Sequence, residues 1–393
     1  MKNYKIMEDA YLANVYAKRP PIIVKGKGSK VWDVDGREYI DCLAGHGVCL
    51  VGHCHPRVVE AVKRQAEELM ACSNILYSPV RAELGEKLCS ITPGELDKVF
   101  LSNSGTESIE CAIKLARKYT GKKEIVALMK GFHGRTFGAL SATWNKKYRE
   151  PFLPLVPGFK HVKPNITEVK NSITEDTAAV IFEPIRGEAG VVLPDDGFLP
   201  DLRELCDSRG VLLIADEIQT GLGRTGKMFA CERYGIVPDV MCLSKGLGGG
   251  YPIGATLARG EVMNSLTLGE HGSTYGGNPL ACAAANAAID VIVEERLPER
   301  ASRLGKYFLD SLRELAQRYK IIREARGIGL MLALELRFSN KEVILEACER
   351  GLLTLSSGLN IVRFLPPLVI KKSEIESAIT ILDRVFEGNE RGS

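Results

Sequence analysis

The chain lacks the long apolar segments that membrane and secreted proteins carry. It contains no run of about 18 uncharged apolar residues, the length that a membrane-spanning helix requires. Its start, Met-Lys-Asn-Tyr-Lys-Ile-Met-Glu-Asp, has neither the apolar stretch nor the cleavage site of a secretory signal. We therefore expect a cytoplasmic protein that makes no contact with membranes.

A surplus of charge of one sign is also missing. The 52 lysines and arginines face 49 aspartates and glutamates, which leaves a net charge of +3. Nucleic-acid-binding proteins present a concentrated positive field, and this balance does not supply one. No nucleic-acid partner is expected.

Cysteine motifs are absent as well. The eleven cysteines include no CxxC pair, which favours reduced thiols that pack as small hydrophobic groups. No regular spacing places four ligands on one tetrahedron in the densest group of possible metal ligands, which is His46, Cys49, His53, Cys54 and His55. We therefore expect no metal here, and His55 is predicted to cap a helix that begins at Pro56.

What the chain does have is length and a regular alternation. Its 393 residues, 45% of them hydrophobic, suffice for two cores. Short apolar runs alternate with amphipathic stretches, at residues 98–101, 125–129, 178–182, 211–215 and 240–243. This alternation predicts an α/β fold with a large, doubly wound and mainly parallel sheet, whose ligands bind at the carboxyl ends of the strands.

The pattern changes after residue 278. Two long helical runs are followed by predicted strands at residues 329–336 and 361–365, which indicates a smaller α+β domain. We predict an N-terminal arm and part of the small domain in residues 1–50, a large domain in 51–290, and the C-terminal small domain in 291–393.

Two polar residues at the ends of successive apolar runs are the strongest indication of chemistry. Asp216 follows the run 211–215, and Lys245 follows the run 240–243. A buried carboxylate needs a positive partner, and a protonated pyridine nitrogen is one. A lysine desolvated near that cation would have a lowered pKa and form a Schiff base readily, although a lone lysine is more often a solvated surface charge. Together the pair indicates an aldehyde cofactor and its electron sink.

Two further motifs follow predicted strands. Ser104-Gly105-Thr106-Glu107 opens a predicted helix, where free N–H groups and hydroxyls could cradle a phosphate, but Ser104 and Glu107 also have the spacing of a capping box. Phe132 could lie flat on a planar cofactor and Arg135 could receive a carboxylate. The alternative is a packed aromatic ring and a solvated arginine.

Charged and hydroxyl side chains occur at three other strand or helix ends. Glu183 and Glu188 follow the run 178–182 and need partners, which a structural ion pair would also provide. Arg363 lies within an apolar strand, so it must face a cleft or pair with an acid, which makes it a good carboxylate receptor. Thr274 could donate its hydroxyl to a phosphate, or its loop could simply lead into a helix.

A rival motif lies between Asp216 and Lys245. Residues 221–226 read GxGxxG, the fingerprint of dinucleotide-binding oxidoreductases. That fingerprint begins directly after a strand and is followed by an acid at the end of the next strand, whereas here five residues intervene and Lys245 ends the next strand. The spacing therefore argues against NAD.

Taken together, these motifs resemble the class III pyridoxal-phosphate aminotransferases of the ornithine and acetylornithine type. Their order and spacing match from about Gly36 to the C-terminus. The resemblance implies fold type I, the cofactor pyridoxal 5'-phosphate, 2-oxoglutarate and glutamate as one substrate pair, and a homodimer with active sites at the subunit interface.

The resemblance also implies roles toward the cofactor. Lys245 would hold it covalently, Asp216 would bind its ring nitrogen and Gln219 its ring oxygen. Phe132 would stack on the ring. The phosphate would be held by Ser104, Gly105, Thr106 and Thr274 of the partner subunit.

Substrate-binding roles are implied in the same way. Arg363 would take the α-carboxylate of glutamate, and Glu188 would cover Arg363 when the other substrate arrives. Arg135 would bind the distal carboxylate, and Ser273 would belong to the substrate-binding loop.

Within this family, residues 148–155 and 362–368 look most like the branch that acts on lysine and ornithine attached to an amino-group carrier protein (LysW). An acidic carrier would dock on basic residues such as Lys146, Lys147 and Arg149. The alternative is an acetylornithine or ornithine aminotransferase with a small-molecule substrate, and a more distant one is a non-catalytic cofactor-binding module. His46 stands where relatives usually have a tyrosine or an aliphatic residue, which leaves the preferred amine open.

Overall fold

A computed structural model describes residues 3–391 of the chain. Its strands are β1 (Ile23–Lys27), β2 (Lys30–Asp33), β3 (Glu38–Asp41), β4 (Lys98–Ser102), β5 (Glu124–Leu128), β6 (Phe159–Val162), β7 (Thr177–Phe182), β8 (Leu212–Asp216), β9 (Val240–Leu243), β10 (Gly254–Ala258), β11 (Ile322–Ile328), β12 (Met331–Leu336), β13 (Leu352–Leu353), β14 (Leu355–Ser357) and β15 (Ile361–Phe364). Its helices are α1 (Tyr4–Tyr11), α2 (Ala44–Gly47), α3 (Pro56–Glu68), α4 (Pro79–Ile91), α5 (Gly105–Thr120), α6 (Phe137–Ala142), α7 (Lys146–Arg149), α8 (Ile166–Ser172), α9 (Phe198–Arg209), α10 (Ala230–Arg233), α11 (Gly260–Met263), α12 (Pro279–Glu294), α13 (Leu297–Arg318), α14 (Lys341–Glu349) and α15 (Lys372–Arg391). Within residues 3–391 no helix is both long enough and apolar enough to span a membrane.

Seven strands form the central sheet, in the order β4-β10-β9-β8-β7-β5-β6. The strands from β9 to β6 are parallel, whereas β10 runs antiparallel to both β9 and β4. The five apolar runs predicted as strands are β4, β5, β7, β8 and β9, each within one residue at either end. The predicted mainly parallel α/β sheet is therefore confirmed, and the carboxyl ends of β5, β7, β8 and β9 lie along one edge.

Two strands of this sheet were not predicted from the sequence. β6 is an edge strand whose residues are all half-buried. Its Lys160 and His161 interrupt the apolar run that would have indicated a strand. β10 has a small residue at most positions and opens at Gly254, where a Cβ atom would collide with the backbone carbonyl of Ser104. The glycine lets β10 pass close to the start of α5.

Two four-stranded sheets flank the central one. One has the order β1-β2-β3-β13 and pairs the N-terminal strands with Leu352–Leu353, parallel to β3. The other has the order β11-β12-β15-β14 and carries Arg363 on β15. The predicted N-terminal arm thus contributes strands to a sheet, while α1 has no buried residue. The domain boundaries at residues 50 and 290 stay a prediction.

Helix α13 packs against the turn between β11 and β12 without an intervening side chain. A Cβ atom added at Gly305 would overlap the backbone of Gly329, which itself has a φ of +54°. Gly329 is held in turn against the backbone of Arg224 and Thr225. Neither side of this contact has room to move.

We expect Gly305→Ala to lower the free energy of unfolding by about 1–3 kcal/mol, because the new methyl group must push backbone apart. Chemical denaturation monitored by circular dichroism measures this. Gly388→Ala is the control, since it makes the same change in α15 where the nearest atom is 3.8 Å from the added Cβ. Equal stability of the two variants would show that the Gly305 contact is not tight.

Candidate active site

The predicted catalytic residues lie where strands of the central sheet end. Asp216 is the last residue of β8, Lys245 comes two residues after β9, and Glu183 directly follows β7. Phe132 lies in the loop after β5. The parallel sheet therefore brings residues from four chain segments to one edge.

Asp216 is buried and held by two donors. Its Oδ2 lies 2.8 Å from Nδ1 of His133, and its Oδ1 accepts a hydrogen bond from the Ile218 N–H at 3.1 Å. His133 is fully enclosed, and its Nε2 has no partner. The sequence analysis gave His133 no role, although a histidine beside a predicted strand end is a suitable partner for a buried acid.

Lys245 projects from a tight turn after β9. Its φ is +36°, an unfavourable value for a residue with a side chain, while the neighbouring Ser244 is anchored by donating its hydroxyl to the Ile253 carbonyl at 2.7 Å. Burial lowers the pKa of Lys245, and the charges of Asp216 and Glu188 offset part of this effect. The neutral, nucleophilic amine is therefore present at lower pH than in a solvated lysine.

Arg363 is almost completely buried on β15 and pairs with Glu188. Its Nη2 donates to Glu188 Oε1 at 2.6 Å, and its Nη1 donates to Gln219 Oε1 at 3.4 Å. Burial alone would raise the pKa of Glu188, but the charge and hydrogen bond of Arg363 outweigh burial, so this pKa is lowered. Glu188 is therefore ionised and neutralises Arg363.

Glu183 connects two loops of the site. Its Oε1 accepts from the Phe132 N–H at 2.8 Å and its Oε2 from the Gly187 N–H at 3.1 Å. Burial raises the pKa of Glu183 to about 7. The loop that carries Phe132 and the loop that carries Glu188 are thus tied to one carboxyl group.

The start of α5 combines a side-chain N-cap, in which Ser104 Oγ accepts from the Glu107 N–H at 3.4 Å, with free N–H groups. Ser104 donates its hydroxyl to Glu107 Oε2 at 2.9 Å, and the same oxygen accepts from the Asn103 N–H at 2.8 Å. The capping interpretation thus describes the Ser104 side chain, and its role toward phosphate stays a prediction. The N–H groups of Gly105 and Thr106 have no acceptor within the helix, so they remain available to an anion.

Aromatic and cationic side chains line the outer part of the site. The rings of Phe132 and Tyr148 meet edge to face at 6.0 Å, and the Arg135 guanidinium lies 4.0 Å from the Tyr148 ring centroid. Arg135 is exposed and has no acidic partner in the described chain. Ser273 accepts from Asn103 Nδ2 at 3.1 Å, whereas Thr274 is exposed on the same loop.

The rival GxGxxG motif forms a packing turn. Residues 221–226 open no helix, and α10 begins only at Ala230. A Cβ at Gly223 would lie 3.2 Å from Pro298, and one at Gly226 would lie 3.0 Å from Ser302. These glycines therefore let the turn approach α13. They do not form a phosphate-binding loop.

The described residues fit pyridoxal 5'-phosphate. Asp216 is a buried carboxyl group at the end of β8, α5 begins with free N–H groups, and Lys245 has a lowered pKa. No group of three or more potential metal ligands in residues 3–391 is arranged to hold a metal ion. The fold and this arrangement define a pyridoxal-phosphate-dependent enzyme of fold type I.

Comparison with known proteins specifies the family. The model of the family Aminotransferase class-III matches residues 11–386. The acetylornithine aminotransferase of Methanopyrus kandleri is 52% identical over 95% of this chain and 96% of its own length, and ornithine aminotransferase 1 of Staphylococcus aureus is 45% identical over 97% and 98%. An ornithine aminotransferase structure from Toxoplasma gondii, with partly occupied PLP in its active site, has a TM-score of 0.96 at 38% identity and covers 99% of this chain and 94% of that one.

The chain belongs to the class III aminotransferases, which use pyridoxal 5'-phosphate. The predicted family, enzyme class and cofactor are confirmed. The roles assigned to individual site residues stay predictions.

We expect Lys245→Ala to fold and bind the cofactor weakly, but to lose its covalent attachment and to slow turnover by roughly 10²–10⁴-fold or more, because no other amine takes its place. Absorbance of the bound cofactor and borohydride labelling with peptide mapping measure attachment. Lys227→Ala, at an exposed lysine, is the control. Normal turnover of the Lys245 variant would remove this residue from the mechanism.

Proposed function

We propose that this protein is an acetylornithine or ornithine aminotransferase of amino-acid biosynthesis, which exchanges the terminal amino group of its amine with 2-oxoglutarate and glutamate. The observation that carries this proposal is the Arg363–Glu188 pair beside Lys245. It suits an enzyme that must accept two unlike substrates, one with a carboxylate next to the reacting carbon and one without. The curated relatives at 52% and 45% identity carry these two activities in their names.

Pyridoxal phosphate, when bound, supplies an aldehyde that takes the amino group and a ring that accepts electrons from the neighbouring C–H bond. Lys245 would supply a neutral amine that takes the proton from the substrate carbon and delivers it to the former aldehyde carbon of the cofactor, on the other side of the nitrogen. Asp216, oriented by its contact with His133, would bind the ring nitrogen. The N–H groups at the start of α5 would hold the phosphate.

Glu188 allows one site to serve both substrates. When the terminal amine binds, no carboxylate reaches Arg363, and Glu188 keeps this buried guanidinium paired. When glutamate or 2-oxoglutarate binds, its α-carboxylate replaces Glu188 on Arg363. Arg135, stacked on Tyr148 and open to solvent, receives the remaining carboxylate.

We expect Glu188→Ala to lower the KM for glutamate and to slow the half-reaction of the terminal amine by about 10-fold, since about 1.4 kcal/mol of lost pairing corresponds to that factor. Single-turnover kinetics of each half-reaction measure both effects. Glu175→Ala, at an exposed acid, is the control. If both half-reactions slow equally, Glu188 does not discriminate between the substrates.

A homodimer is part of this proposal. The segment Ile75-Leu76-Tyr77 and Tyr275 are largely exposed apolar side chains, with Ile75 at 90% and Tyr77 fully exposed. They lie together because Asn74 donates to the Ser273 carbonyl at 3.0 Å. Such a patch is typical of a subunit interface, and Thr274 at its edge would reach the phosphate of the partner subunit.

A carrier-linked lysine or ornithine is the second candidate substrate. Helix α7 presents exposed Lys146 and Lys147 next to Tyr148, at the outer part of the site, where an acidic carrier such as LysW could dock. Arg149 is less available for docking than the two lysines, because its side chain is half-buried and donates to the Trp144 carbonyl at 3.1 Å. A docking surface would therefore rest on the two lysines.

We expect kcat/KM to be higher for N-acetylornithine or ornithine than for the carrier-linked amines, measured under identical conditions. Charge reversal by Lys146→Glu and Lys147→Glu should leave kcat/KM for the small substrates unchanged. Lys63→Glu with Lys170→Glu is the matched control for net charge. The second candidate would be favoured if the enzyme preferred a carrier-linked amine and charge reversal in α7 abolished that preference.

A further inference from the structure

The loop between α11 and α12 carries Ser273 and Thr274 and is rich in glycine. It runs through residues 264–278 without forming a helix or a strand, and it has glycines at positions 269, 272, 276 and 277. The side chain of Leu268, in its middle, is fully exposed. Because ordering such a segment costs backbone entropy, contacts from outside the loop must hold it in one conformation.

Two lysines of α5 bind the middle of this loop. Lys118 donates from its Nζ to Glu270 Oε1 at 2.5 Å, and this hydrogen bond lowers the pKa of Glu270 to about 2. The other carboxylate oxygen, Oε2, accepts from the Thr267 N–H at 2.8 Å. Lys114 donates to the Glu270 carbonyl at 2.9 Å and to Nδ1 of His271 at 3.0 Å. The backbone and the side chain of Glu270 are thus both bound by α5.

Two further contacts fix the end of the loop. The His271 ring lies 4.5 Å from the ring of Phe100 on β4. Burial and the charge of the neighbouring lysine lower the pKa of His271, so the neutral ring accepts at Nδ1. Asn103, directly before the N-cap of α5, donates from its Nδ2 to Ser273 Oγ at 3.1 Å. Thr274 comes next, and it is exposed, with no hydrogen bond of its side chain within residues 3–391.

Helix α5 would therefore serve the cofactors of both subunits. Its first turn, at Gly105 and Thr106, offers free N–H groups to the phosphate of its own subunit. Lys114 and Lys118 lie four residues apart on one face of the helix, so both reach the same loop. At about 1.5 Å per residue they stand roughly 14 and 20 Å along the helix axis from Gly105, well away from that phosphate. The loop they hold leads to Thr274, which the proposed homodimer directs toward the phosphate of the partner subunit.

We propose that Lys114 and Lys118 are positioning residues for the cofactor of the partner subunit, because they hold the loop that presents Thr274 to its phosphate. The inference rests on the homodimer of the proposed function, and it adds residues that touch neither cofactor nor substrate. Both lysines and Glu270 are exposed, and ion pairs in water contribute little to the stability of a fold. Loss of the lysines should therefore weaken cofactor binding and leave the free energy of unfolding almost unchanged.

The double variant Lys114→Gln with Lys118→Gln tests the two lysines. Dialysis of the holoenzyme against decreasing concentrations of pyridoxal 5'-phosphate, followed by absorbance of the bound cofactor, gives its Kd. We expect this Kd to rise by roughly 10-fold, the factor that about 1.4 kcal/mol of lost binding produces. The melting temperature at saturating cofactor and the mass of the dimer should stay as in the wild type. An unchanged Kd would overturn the proposal.

Three further variants separate the contact from the charge alone. Lys163→Gln with Lys170→Gln removes two exposed lysines whose side chains make no hydrogen bond in the described part of the chain, and it should leave the Kd unchanged. Lys118→Arg keeps the ion pair and should retain most of the affinity. Glu270→Ala should weaken cofactor binding without adding to the effect of Lys118→Gln, since both changes break the same contact. Fully additive effects would contradict a shared role of Lys118 and Glu270.

Heterodimers purified with two different tags decide in which subunit the lysines act. In the first, one chain carries Lys245→Ala and both glutamine changes, and the other chain is wild type. The remaining Lys245 then faces the changed loop, so less cofactor should stay attached to it, as in the double variant. In the second, one chain carries Lys245→Ala alone and the other carries the glutamine changes, so the remaining Lys245 faces an unchanged loop and should keep its cofactor. Borohydride reduction and mass spectrometry of the Lys245 peptide measure attachment at each cofactor concentration.

The outcomes distinguish this inference from the proposed function. Loss of cofactor in the second heterodimer and not in the first, or equal retention in both, overturns the role of Lys114 and Lys118 even if a stable dimer turns over N-acetylornithine. If no ornithine derivative reacts while the first heterodimer alone loses cofactor, the substrate assignment fails and the inference stands. A monomeric wild-type protein would contradict both the proposed homodimer and the inference.

Discussion

The charge of Asp216 is the constraint on which the site depends. It ends β8, a strand that is buried along its whole length between two other buried strands. An uncompensated ion in such a place costs several kcal/mol, a large part of the stability of a domain. His133 and the Ile218 N–H compensate it in part. The ammonium form of Lys245 attracts Asp216 from the same edge, and the cofactor nitrogen of the proposed function would add positive charge there.

Hydrogen bonds and ion pairs connect the region around Asp216 to the sheet that contains Arg363. Glu183 holds the Phe132 loop and the turn before Glu188, and Glu188 pairs with Arg363 of β15. Arg224 is fully buried and donates to the carbonyls of Leu330 and Pro366, which fastens the central part of the chain to the end of that sheet where β12 begins and β15 ends. The position of Arg363 relative to Lys245 is therefore set by hydrogen bonds as well as by packing.

The parts that the sequence predicts are those whose signal is local. The apolar runs mark β8 and β9, and the acid and lysine that follow them are visible without knowing which strands are neighbours. His133 could not be assigned because its partner is 83 residues away in the chain. β10 was missed because its small residues, which let it pass close to α5, do not form an apolar run. The two possible roles of Ser104 could not be separated, because the same spacing suits both a capping box and a phosphate site.

Two arginines near the site differ in how far they are removed from water, and this difference affects what each could recognise. Arg363 has lost nearly all of it, so it requires an anion at every stage, which explains the presence of Glu188. Arg135 keeps its water and stacks on Tyr148, so it can be left empty at little cost and tolerate different distal groups.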